Sequence, residues 1–265
     1  MKDNWHKNGD LIFYKHDFEN QVTIIEIARE KHLNALNSTV ISSLEKVLNI
    51  INLETRIRSV IITGKGDKAF VAGADIKEFQ GFNKKEARNL SQSGKEKLFD
   101  KIANFRKPVI SAINGYALGG GLELALSCHL RVATETAKLG LPECTLGLIP
   151  GYGGTQRLPK IIGIGHAMEM ILTGKMISAQ DAYRIKLVNH IVPGDRLIEK
   201  CLSITKYFNK TSPEALSSAI NSINSCFLDT GSNIESKEFS ELFQTTNFKE
   251  GVEAFLEKRK PNFNQ

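Results

Sequence analysis

No stretch of this 265-residue sequence approaches the roughly 20 consecutive apolar residues that cross a bilayer, so no membrane partner is expected. The opening segment, MKDNWHKNGD, has neither an apolar core nor an Arg-rich amphipathic pattern. No targeting segment is therefore expected, and the chain is assigned to the cytoplasm. Cys128, Cys144, Cys201 and Cys226 form no CxxC pair and show no regular spacing, which favours free thiols over a disulfide framework. No His and Cys cluster has metal-ligand spacing, and neither a metal nor a separate cofactor is expected. His32, His129, His166 and His190 are scattered and GxSxG is absent, which leaves a hydrolase triad without support. The dinucleotide GxGxxG and the phosphate-binding GxxxxGK[ST] are both missing. Basic and aromatic residues do not interleave as in RNA-binding motifs, so no nucleic-acid partner is expected.

What is present is the composition of a folded globular protein, with 41% hydrophobic and 24% charged residues. The net charge of +6 is dispersed and densest at Lys258, Arg259 and Lys260. It suits an anionic small ligand, although a solubilising surface explains it as well. The β-branched runs VTIIEI from Val22 and RSVIIT from Arg58 predict strands. Between them Ile41, Leu44, Leu48 and Ile51 recur at helical steps, with Ser38 or Thr39 as the expected N-cap. The pattern then repeats: PVISAI from Pro108 predicts a strand, a glycine turn follows, and LELALS from Leu122 predicts a helix. Leu130–Ala133 predicts another strand. Beyond about residue 155 the periodicity is helical, over Ala167–Leu172, Ala179–Ile185, Leu197–Phe208, Ala215–Phe227 and Glu250–Lys258. The expectation is an α/β layered core over residues 1–195 that carries the active site, followed by a helical region over 196–265.

Three segments carry candidate chemistry. In NGYALGGGLELA, a strand runs into Gly119, Gly120 and Gly121 and a helix starts at once. Such a turn brings free backbone N–H groups and a helix N-terminus to an anion or a developing oxyanion; a close-packing turn would need the same glycines. In FVAGADIKEF, the small residues Ala72, Gly73 and Ala74 expose further N–H groups that can supply a second donor. Glu123 in the first turn after GGG, and Glu143 in the Gly- and Pro-rich GLPECTLGLIPGYGG, are candidate paired carboxylates. Such a pair can share a water and move protons in both directions, and mutual repulsion is expected to separate their titrations. Taken singly, each glutamate reads as an ordinary helix or loop carboxylate. Gln156 and Arg157 are expected to cap or brace the helix that follows them.

Taken together, FVAGADIKEF, KPVISAINGYALGGGLELA, LGLPECTLGLIPGYGGTQRL, LTGKMISAQDAYRIKLVNHIVP and FLEKRKPNF resemble, in order and spacing, the enoyl-CoA hydratase (crotonase) family. The resemblance covers Val22 to Phe263. It implies a ClpP-like spiral of repeated ββα units, a helical C-terminal trimerisation region, and a homo-oligomer, a hexamer built as a dimer of trimers. It also implies an acyl-CoA thioester as ligand, with coenzyme A as part of the substrate. The thioester oxygen would be held by the N–H groups of Ala74 and Gly120, and Glu123 and Glu143 would hold one water over the enoyl group. Glu123 would activate that water and Glu143 would deliver the proton. Substrate contacts fall on Ala72, Ala74, Asp75, Ile76, Lys77, Gly120 and Gly151. Coenzyme A contacts fall on Lys31, His32, Leu33, Phe255 and Lys258, the last two reaching a neighbouring subunit's ligand. The family's Arg-Pro-x-Ala-x-Asn-Ala-Leu stretch is altered here to AREKHLNAL, with Glu30 and His32 in place of Pro and Ala. Tyr152 stands where smaller residues are common, which implies a trimmed acyl pocket. Hydration of a 2-enoyl-CoA is the implied reaction. The alternatives are a double-bond isomerase or branched-chain hydratase of the same fold, and a non-catalytic acyl-CoA-binding or RNA-binding member.

Overall fold

The β-branched runs form the strands they predict, and in a computed structural model that describes residues 5–263 they lie at the centre of a large sheet. Eleven strands occur among the described residues: β1 His6–Asn8, β2 Ile12–Asp17, β3 Val22–Ile27, β4 Ser59–Gly64, β5 Ala69–Val71, β6 Val109–Ile113, β7 Tyr116–Leu118, β8 Leu130–Thr134, β9 Lys138–Gly140, β10 Ile177–Ser178 and β11 His190–Val192. One sheet has the order β1-β2-β3-β4-β6-β8-β11 and the other β10-β9-β7-β5. The helices that bear on the argument are α1 Ser38–Leu53, α2 Lys84–Gly94, α3 Asp100–Ala103, α4 Gly120–Ser127, α5 Gly154–Ile162, α6 Ile164–Thr173 and α7 Ala179–Arg184. They are followed by α8 Leu197–Phe208, α9 Pro213–Asn224, α10 Gly231–Leu242 and α11 Thr246–Leu256.

The expected spiral is visible in the strand order. Strands β4, β6 and β8 are parallel neighbours in the large sheet, and β5, β7 and β9 are parallel neighbours in the small one. Each turn therefore lays one strand in each sheet and returns through helix: β4, β5 and α2–α3; β6, β7 and α4; β8, β9 and α5–α6. Tyr116 of β7 pairs with both Ala69 and Lys138, which keeps successive turns in register. β4 and β6 are buried along their whole length, as parallel strands covered on both faces must be. Val40, Leu44, Val47 and Leu48 of α1 pack in the main core, while Leu197 and Cys201 of α8 cover the opposite face against Ile61, Ile110 and Val132.

Several local expectations are corrected. The N-cap of α1 is Asn37, not Ser38 or Thr39; its extended backbone lets the side chain accept from Val40 N at 2.9 Å. Gln156 and Arg157 lie inside α5 rather than ahead of a helix. The antiparallel pair β1–β2, and helices α2 and α10, were not anticipated. α2 is stabilised by a capping box between Asn83 and Glu86. Among the described residues no helix is long and apolar enough to cross a membrane.

The glycine turn is also a packing device. A Cβ on Gly121 would lie 1.9 Å from the carbonyl oxygen of Val71 on β5, so α4 can approach the small sheet only at a glycine. Gly121→Ala is expected to lose about 3 kcal/mol of stability by overpacking, measured as a lowered urea midpoint.

Candidate active site

Two loops at the ends of strands bring their backbone N–H groups together. After β5, Gly73 takes φ of 122°, and after β7, Gly119 takes φ of 50°. A positive φ is cheap only for glycine, and in each loop it turns the next peptide so that the following N–H leaves the line of the strand. Those N–H groups belong to Ala74 and Gly120. Neither has an acceptor among the described residues. The loops are close: a Cβ on Gly120 would sit 3.5 Å from the Ala74 nitrogen. Leu36 fixes the first loop, donating to Gly73 O at 2.9 Å and accepting from Asp75 N at 2.7 Å. Gly119 N donates to Gly140 O at 2.9 Å, tying the second loop to β9. Two free donors brought close together, one of them at the N-terminus of α4, are the arrangement that an oxyanion requires.

Two carboxylates lie close to these donors, Glu123 on the helix that Gly120 begins and Glu143 beside Gly119. Glu123, in the first turn of α4, is buried to 1% exposure. Its Oε1 accepts from Tyr152 N and Gly154 N, each at 2.7 Å. Gly154 permits that approach, since a Cβ there would lie 3.1 Å from Glu123 Cγ. The turn that carries these donors is braced by Arg157, which donates to Tyr152 O at 2.8 Å and pairs with Asp100. Glu143 lies in the short 3-10 helix Pro142–Leu146 that follows β9. Its Oε1 comes within 2.9 Å of where a Cβ on Gly119 would be, and its buried Oε2 has no hydrogen-bond partner among the described residues.

Burial raises both carboxyl groups above the usual range. Glu123 is pushed up to about 7, chiefly by desolvation; the Glu143 charge adds to this, while the Gly154 and Tyr152 N–H groups oppose it. Glu143 is raised mainly by burial as well. The expected mutual repulsion is therefore a secondary cause, and loss of water around each group is the principal one. Two carboxyls held above their usual range, beside free backbone donors, can exchange protons with a bound water.

Of the remaining candidates, Ala72, Asp75, Ile76 and Lys77 follow β5 directly, with Ile76 and Lys77 exposed. Lys31, His32 and Leu33 form an exposed turn that meets the same loop, Leu33 O accepting from Ala72 N at 3.0 Å. The two segments are joined by the Arg29–Asp75 ion pair at 2.7 Å. Asn34 was missed in the sequence. It is buried at φ of 58°, accepts from Arg29 N and donates to Lys65 O and Ala69 O. An asparagine is among the few residues that tolerate that conformation while satisfying so many backbone groups. Gly151 carries no nearby atom where a Cβ would go, and its carbonyl accepts from Ser91 Oγ on α2. Phe255 and Lys258, by contrast, stand exposed on and just after α11, within the C-terminal helices. They are not part of the loop cluster that carries Ala74, Gly120, Glu123 and Glu143.

Comparison with known proteins bears on this arrangement. A family model described as enoyl-CoA hydratase/isomerase matches residues 17–265. The short-chain-enoyl-CoA hydratase of Clostridium acetobutylicum is 41% identical over 245 residues, covering 91% of this chain and 94% of that protein. The crotonyl-CoA hydratase of Syntrophomonas wolfei is 41% identical over 248 residues, covering 92% and 95%. Among solved structures, an enoyl-CoA hydratase from Bacillus anthracis superposes with a TM-score of 0.85 at 42% identity, covering 92% of this chain and 95% of that one.

Proposed function

The chain belongs to the enoyl-CoA hydratase/isomerase family, and we propose that it is the hydratase: it adds water reversibly to a 2-enoyl-CoA to give a 3-hydroxyacyl-CoA. The observation that carries this reading is the pair of carboxylates, buried Glu123 and half-buried Glu143, beside the unpaired N–H groups of Ala74 and Gly120. Oxyanion donors alone would serve many thioester reactions. Addition of water also needs a base for the attacking oxygen and an acid for the neighbouring carbon.

The roles follow from the different surroundings of the two groups. Glu123 receives two N–H donors on one oxygen, which oppose the upward push of burial, so that above about pH 7 its other oxygen can take a proton from water. The water oxygen then bonds to C3, and the electrons of the double bond move toward the thioester oxygen, where Ala74 N–H and Gly120 N–H stabilise the enolate. Glu143 has a buried oxygen with no donor facing it, a setting that favours the protonated acid. It gives that proton to C2 as the enolate collapses. A proton then passes from Glu123 to Glu143 through solvent before the next turnover. Lys31 and Lys77 offer cations to the phosphates of coenzyme A, with Phe255 and Lys258 supplied by a second copy in a homo-oligomer, a hexamer built as a dimer of trimers.

The test is the decay of the ultraviolet absorbance of the conjugated thioester when the protein meets crotonyl-CoA. Binding without hydration of crotonyl-CoA or of its longer and branched homologues would sink the choice of reaction. The pH profile is a second measurement. Glu123 must be ionised to act as base, so kcat/KM should fall as pH drops through about 7. The Glu123→Gln variant should lack that acidic limb.

A further inference from the structure

We infer that Tyr152 is the end wall of the acyl pocket and restricts the enzyme to short enoyl chains, a reading that rests on the hydratase assignment. The ring is a partition between two glycines. One edge faces Gly94 at the end of α2, where a Cβ would lie 2.4 Å from Cε1; the other edge faces Gly120, where a Cβ would lie 3.5 Å from Cδ2. One ring face is stacked on Phe99, with centroids 4.6 Å apart and planes 11° from parallel. The residue is 7% exposed. It is also tied to the chemistry, because its own N–H donates to Glu123 Oε1 at 2.7 Å.

The direction of the acyl chain follows from these contacts. Its C1 oxygen lies at Ala74 and Gly120, and C2 and C3 lie between Glu143 and Glu123. The chain beyond C3 continues past Glu123 toward the Tyr152 ring, whose Cδ2 edge lies beside Gly120. Gly94 offers no side chain on the far side of the ring, so the ring alone fills the space between α2 and the oxyanion donors. Phe99 stacks on one face of the ring and the Gly94 backbone flanks its edge. A smaller side chain would turn the end wall into a passage toward α2. The Tyr152 hydroxyl has no hydrogen-bond partner among the described residues, so the blocking belongs to the ring and not to the hydroxyl.

The test measures binding of saturated butyryl-, hexanoyl-, octanoyl- and decanoyl-CoA by calorimetry, alongside hydration of the matching enoyl-CoAs. Wild type should bind decanoyl-CoA at least about 10-fold more weakly than butyryl-CoA, and its kcat/KM should fall similarly with chain length. Tyr152→Phe should keep that profile. Tyr152→Ala should flatten it, raising the decanoyl to butyryl ratio by about 10-fold or more. Tyr152→Leu, which keeps apolar bulk without the reach of a ring, gives the same comparison should the alanine variant not fold. A wild type that binds all lengths alike overturns the proposal, and so does an alanine or leucine variant with the wild-type profile. Because saturated thioesters cannot be hydrated, a length limit without hydration would sink the reaction assignment alone. Hydration without a length limit would sink the role of Tyr152 alone.

Discussion

Glu123→Gln and Glu143→Gln should each hydrate crotonyl-CoA about 10²–10⁴-fold more slowly than wild type, with thioester affinity nearly unchanged. Glutamine keeps the size and the acceptor oxygen of each side chain, so the fold has little reason to respond. At Glu123 the carbonyl oxygen of the amide can still accept from Tyr152 N and Gly154 N, the two bonds that fix the side chain. What it cannot do is take a proton from water. At Glu143 the buried oxygen without a partner becomes part of an amide that has no acidic proton to give. The two losses should not add. Once either proton transfer is removed the reaction stalls, and the double variant should sit close to the slower single one. Neutralising a carboxyl that burial has raised also relieves its desolvation, so both variants should unfold at temperatures equal to or above that of wild type. A single variant that retained wild-type turnover while still binding thioester would remove that glutamate from the mechanism.

How much of this could be read in the sequence depended on burial. Strands β4, β6 and β8 are central and parallel, and their runs of Val, Ile and Ala state it. β1 and β2 mix His, Lys, Tyr and Asp with few apolar positions, because only Ile12 of the pair is fully buried. The strands of the small sheet are too short to show a period; β7 is Tyr-Ala-Leu. α10 has no buried residue and so presents no apolar stripe. At the site, glycine-rich loops marked Ala74 and Gly120 as possible donors, but the resemblance to a family was what singled them out. The partners of Glu123 were illegible, because Tyr152 N and Gly154 N reach it only through the turn at Gly153, with φ of 106°. That desolvation outweighs the expected repulsion at the carboxyls was hidden for a related reason. Sequence spacing can suggest that two charges are near each other, but it cannot show how little water surrounds them.

Gly120→Pro should lower kcat by about 10²–10³-fold without unfolding the protein. Backbone donors escape most mutagenesis, yet this one sits where proline is tolerated. Gly120 is the first residue of α4, a position whose N–H has no partner within the helix and whose φ suits proline. A Cβ there would meet Ala74 N and Tyr152 Cδ2 at 3.5 Å and Leu36 Cδ1 at 3.7 Å, all ordinary contacts. The preceding residue is Gly119, which has no Cβ to clash with the proline ring. The substitution thus removes a single N–H and places the ring Cδ where the oxyanion would be received. Gly120→Ala is the control: it adds the same Cβ but keeps the donor, and should retain far more of the rate. The melting temperatures of both variants should stay near that of wild type, in contrast to Gly121→Ala, whose Cβ has nowhere to go against Val71. Neighbouring glycines would then separate by function, one needed for chemistry and the next for packing. If the proline variant is folded and hydrates as fast as the alanine variant, the thioester oxygen is not held at Gly120.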